Sequence, residues 1–71
     1  MKRVDLLRTI GAAARDAGLP WQMLRQGSDH EVWELDGLRV VIPRHREINE
    51  RTAGKILRLL EDKLGQGWWR T

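Results

Sequence analysis

The sequence has no cysteine, two histidines and two prolines. Without cysteine there is no disulfide staple, no thiolate zinc site and no thiol nucleophile, and two imidazoles leave little for an all-protein metal cage. No glycine-rich phosphate loop is present, nor any repeat, linker or low-complexity segment. Long apolar runs are missing too. The longest uncharged stretch, Ala17 to Leu24, is too short to span a bilayer. The run Thr9 to Ala14 follows Asp5 and Arg8, unlike a signal peptide, so a cytoplasmic location is expected. With 41% hydrophobic and 32% charged residues the chain is balanced for a small folded core, not for disorder, and 71 residues exclude a multidomain enzyme. One domain over 1–71 is expected.

The charge is modest in total and uneven in place. Between Leu38 and Arg58 lie six basic residues (Arg39, Arg44, Arg46, Arg51, Lys55, Arg58) against two acidic ones (Glu47, Glu50), so this stretch carries the whole surplus of +3. Ten of the thirteen basic residues are arginine, the side chain suited to bidentate phosphate contacts. The stretch reads either as a nucleic-acid footprint or as a solvated helix face with a charged loop.

Apolar residues recur at helical spacing from Arg3 to Ala17, with Gly18 and then Pro20 as stop signals. Trp21 to Gln26 suits a short strand. His30 to Leu35 and Leu38 to Ile42 flank Asp36-Gly37, a pair that favours a type I′ hairpin. A two-residue turn sets Leu35 opposite Leu38, Glu34 opposite Arg39, Trp33 opposite Val40, Val32 opposite Val41 and Glu31 opposite Ile42. One face then collects Trp33, Leu35, Leu38, Val40 and Ile42. The other carries Val32, Val41 and the Glu34–Arg39 pair, with His30 across from Pro43 and next to Arg44, His45 and Arg46. Asn49 is placed to cap a second helix whose stripe is Ala53, Ile56, Leu57, Leu60 and Leu64, ended by Gly65. The expected fold is α+β in two layers: helix, three antiparallel strands, helix, with both helices on the Trp33 face and the His30 face open.

On that open face His30 can take or give a proton near neutral pH, and Gly27-Ser28 before it predicts a tight turn with free amides suited to a phosphate. The bland alternative is an ordinary surface histidine. Ser28, Asp29 and His30 are consecutive and cannot converge as a hydrolytic triad. Pro43-Arg44-His45-Arg46 is either a charged loop with its arginines in solvent or a phosphate clamp beside His30. No ligand spacing supports a metal site. Trp21 and Trp33 read as core, and Trp68 and Trp69 first as a packing cap, otherwise as a base-stacking platform or partner contact.

Gly27-Ser28-Asp29-His30, the Asp36-Gly37 hairpin, and Val41-Ile42-Pro43-Arg44-His45-Arg46-Glu47-Ile48 with the helix that follows resemble the HicA family of bacterial toxin–antitoxin components over about residues 3–64. The resemblance implies a double-stranded-RNA-binding-domain-like fold, a toxin that cleaves mRNA, and a HicB-type antitoxin as partner. It implies His30 as the catalytic histidine, with Gly27 and Ser28 as its motif neighbours and Pro43, Arg44 and His45 as the second matching segment. Asp29 stands where many members carry a further histidine, and the Trp68-Trp69 tail runs past the usual end.

Taken together, these readings lead to a metal-independent endoribonuclease with no cofactor. His30 is its expected catalytic residue, and Gly27, Ser28, Arg44, His45 and Arg46 are its expected RNA-binding residues. A non-catalytic RNA-binding module and a partner-binding domain using the tryptophan tail are the alternatives.

Overall fold

The computed structural model describes residues 1–70, ordered as helix α1 (Arg3–Ala17), strands β1 (Trp21–Gln26), β2 (His30–Leu35) and β3 (Leu38–Pro43), helix α2 (Glu50–Leu59) and a single helical turn α3 (Glu61–Leu64). In α1, Leu6, Ile10 and Ala14 repeat every four residues and are buried as one stripe. Its end is a Schellman arrangement: Gly18 turns left-handed at φ 71°, its N–H donates to Arg15 O, and the Leu19 N–H donates to Ala14 O.

The strands form an antiparallel sheet in the order β1-β2-β3. Asp36 and Gly37 both have positive φ, 48° and 89°, as a type I′ turn requires. The β2–β3 register is the one that turn dictates, from Leu35–Leu38 through Trp33–Val40 to His30–Pro43. Alternation then separates the faces. Leu35, Val40 and Ile42 point inward and join Leu6, Ile10 and Ala14 of α1 and Ala53, Ile56 and Leu57 of α2 in one buried cluster, so both helices cover the same side of the sheet. Arg39 and Val41 remain exposed on the other side. Trp21 and Trp33 stack at 4.6 Å between ring centroids, closing the core beside the helices.

The expected second helix is interrupted. Asn49 caps α2 as predicted, its side chain accepting from the Thr52 N–H at 2.8 Å. At Leu60, however, ψ relaxes to −4°, and the chain restarts as α3 before Gly65 ends it. Leu60 itself is fully buried. The break lets the following segment fold back: the Gly67 N–H donates to Glu61 Oε2 at 2.7 Å, and the Trp68 indole donates to the Leu57 carbonyl at 2.8 Å. Trp68 and Trp69 meet edge to face at 5.9 Å and pack against the core, with the Arg70 guanidinium over Trp69. The tryptophan tail is thus a cap on the helix layer. A second irregularity is a bulge in β1, where Leu24 is an extra residue between Met23–Trp33 and Arg25–Val32. Among the described residues, no helix is long and apolar enough to cross a membrane.

Candidate nucleic-acid interface

His30 opens β2 opposite Pro43, exposed, on the side of the sheet that no helix covers. The preceding turn is closed by one bond, from the Gly27 N–H to the His30 carbonyl at 2.8 Å. Space at this position is tight: a Cβ at position 27 would lie 3.1 Å from the His30 carbonyl oxygen, which would have to give by a few tenths of an ångström. That bond occupies the Gly27 amide, so the free amide expected at Gly27 is not there for a ligand. The amides of Ser28 and Asp29 have no acceptor among the described residues, so the anion-binding capacity of the turn rests on those two.

Arg44 does not reach freely into solvent. Its N–H donates to the Asp29 carbonyl at 2.9 Å, and its Nη1 donates to the Gly27 carbonyl at 2.7 Å. One residue of the loop after β3 thereby grips both ends of the turn that carries His30. The Arg44 Nε also lies 3.9 Å from Glu31 Oε2.

Glu31 was missed by the sequence reading. It is 7% exposed, the one charged residue that is buried among the described residues. Its Oε1 accepts from the Arg3 guanidinium and, at 2.9 Å, from the Trp33 indole, while Arg3 Nε donates to the Pro43 carbonyl at 3.1 Å. A buried carboxylate persists only when its lone pairs are satisfied and its charge is matched. Here Arg3, Trp33 and Arg44 do both. The signal was present in the alternation, which puts Glu31 on the same face as Trp33, Leu35 and Ile42 and so marks it as an acid at an inward position.

The loop from Arg44 to Ile48 is clasped to the start of α1. The Arg3 N–H donates to the Arg46 carbonyl at 3.0 Å, and the Ile48 N–H donates to the Met1 carbonyl at 2.8 Å. The Met1 amine pairs with Glu47 at 2.7 Å and Glu50 at 3.1 Å. Hydrogen bonds that this amine donates to Glu47, then to Glu50, raise its pKa, and the amine in turn lowers that of Glu47.

The remaining predicted residues are accessible. Ser28, His45 and Arg46 are exposed, and the side chains of His45 and Arg46 have no hydrogen-bond or ion-pair partner among the described residues. His45 stands two residues beyond the Pro43 partner of His30. Arg51, Lys55 and Arg58 are exposed on α2. No group of three or more His, Asp or Glu among the described residues could hold a metal ion. Chemically, the cluster offers two accessible imidazoles, His30 and His45, two free amides and several guanidinium groups at one end of the sheet. No family model, curated protein or solved structure matches the chain.

Proposed function

We propose that the chain is an endoribonuclease of the HicA toxin kind, built on a double-stranded-RNA-binding-domain-like fold, with His30 as its general base. The observation that carries this reading is the exposed His30 imidazole at the head of β2, in a turn braced by Arg44 and on the uncovered sheet face. His30 takes the proton of a ribose 2′-hydroxyl, and the freed oxygen bonds to the adjacent phosphorus. The bond from phosphorus to the 5′-oxygen breaks, leaving a 2′,3′-cyclic phosphate upstream, and the departing oxygen takes its proton from His45 or from water. The Ser28 and Asp29 amides, with His45, hold the phosphate as its charge develops. Arg44 contributes chiefly by fixing the turn. A HicB-type antitoxin is the partner this reading implies, and the uncovered sheet face, where Leu24 and Val41 are exposed, is the surface open to it.

The test pairs RNA cleavage with thermal unfolding of His30→Ala. The side chain is exposed and makes no hydrogen bond among the described residues, so unfolding should stay at the wild-type temperature while cleavage falls by roughly two or more orders of magnitude. A strand with a 2′-deoxy sugar at the cut should be inert, and chelator should leave cleavage intact. Cleavage at the wild-type rate by His30→Ala would end the proposal. Binding of RNA without cleavage by the unaltered chain would leave a non-catalytic RNA-binding module.

A further inference from the structure

A recess of about 480 Å³ lies beside the first turn of α1, lined by Lys2, Arg3 and Val4 on one side and Arg44, Arg46 and Glu47 on the other. That volume falls within the range of ligand clefts, roughly 300–1,000 Å³. Four of the six lining residues are basic. Their compensation is uneven. Arg3 is paired with buried Glu31, and Arg44 faces the same carboxylate. The only lining acid, Glu47, is paired with the Met1 amine. Lys2 and Arg46 are exposed and have no side-chain partner among the described residues. Two positive groups on opposite sides of the recess, neither bonded to an acid among the described residues, raise the local potential, which a bound anion lowers.

We propose that this recess binds a phosphate of the RNA strand beyond the one being cleaved, with Lys2 and Arg46 as its contacts. Arg44 links the two places, since the residue that lines the recess also grips the turn of His30. The strand therefore leaves the imidazole and crosses the mouth of the recess beside α1. The inference rests on the reading of the chain as an RNA-binding enzyme, and it adds Lys2 to the binding surface, a residue outside the basic stretch of the sequence.

The experiment measures binding of a 5′-hydroxyl oligoribonucleotide across a salt series, in a His30→Ala chain that cannot cut it. Lys2→Ala with Arg46→Ala should weaken binding and make the plot of log K against log salt shallower by about 0.7, the single-strand value for one lost phosphate. Arg15→Ala, at the far end of α1, should leave the slope unchanged. A 5′-phosphorylated strand separates two sources of the same chemistry. Equal affinity for both strands assigns the recess to an internal phosphodiester, and a gain that disappears in the double variant assigns it to a terminal phosphate. A double variant with the parent affinity and slope overturns the proposal. If the unaltered chain binds no RNA, the reading of its function fails instead, and inorganic phosphate titrated at constant ionic strength then tests the recess alone. Amide shifts confined to Lys2, Val4 and Arg46 would retain an anion site, and their absence would remove it.

Discussion

Replacing Arg3 by methionine strands the Glu31 carboxylate, and the cost can be worked from its surroundings. The pair is nearly enclosed, with side-chain exposures of 23% for Arg3 and 10% for Glu31. Removing one partner of a fully buried pair costs about 3–5 kcal/mol. Partial solvent access and the nearby Arg44 guanidinium bring the expectation for Arg3→Met to about 2–3 kcal/mol. Glu31→Leu should cost a similar amount, because it leaves the Arg3 guanidinium with only the Pro43 carbonyl and the Trp33 indole without its acceptor. A chain of this size has a total margin of roughly 4–11 kcal/mol, so either change removes a large part of it. At about 4–8 °C per kcal/mol, the midpoint should drop by roughly 10–20 °C. The double variant should be less damaged than the sum of the two by at least about 1 kcal/mol, since it leaves neither charge alone. Urea unfolding of all four proteins at one pH measures this coupling. Additivity within about 0.5 kcal/mol would refute the argument, because it would mean that Glu31 and Arg3 do not depend on each other.

Gly27→Ala should push the His30 carbonyl, 3.1 Å from the new methyl, and disturb the turn more than the fold; RNA cleavage should drop roughly tenfold while stability changes by about 1 kcal/mol or less, and an unchanged rate would show that turn geometry does not matter. The clasp at Met1 gives stability a definite pH window in a chain whose α-amine is free. The amine's contribution is fully present below its ordinary value of 8.0 and is lost as pH rises through its raised folded value. That of Glu47 is present above its ordinary 4.5 and is lost as pH falls through its lowered folded value. Unfolding free energy measured against pH should therefore decline at both ends of that window, and acetylating the amine should flatten the alkaline limb.

The hairpin was fully legible because Asp36-Gly37 fixes both the turn type and the pairing, and alternation then fixes the faces. The first helix was legible to its last residue because Gly18 and Pro20 leave little choice. What escaped depends on contacts between distant segments. Nothing local to Leu60 announces the break in the second helix: the residue continues the apolar stripe, and only the return of Trp68 to the Leu57 carbonyl explains the relaxed backbone there. The bulge at Leu24 has no glycine to mark it. Within the candidate site, the placement of His30 followed from register alone, whereas the grip of Arg44 on the turn did not. Local sequence shows an arginine beside a proline, but not that residue 27 passes within reach of it.

The clasp between the start of α1 and the loop after β3 also bears on the order in which the molecule assembles. Its bonds join residues forty or more positions apart, Met1 to Ile48 and Arg3 to Arg46 and Pro43, whereas both hairpins close over a few residues. Closing a long loop carries an entropic cost that local pairing does not. The sheet is therefore expected to be largely formed at the folding barrier, with the clasp closing afterwards. Interactions made after the barrier slow unfolding without speeding folding. In a denaturant chevron, substitutions at Arg3 should raise the unfolding arm and leave the folding arm almost in place. The clasp would then act as a latch on the lifetime of the native state, and the same latch holds the loop whose Arg44 steadies His30.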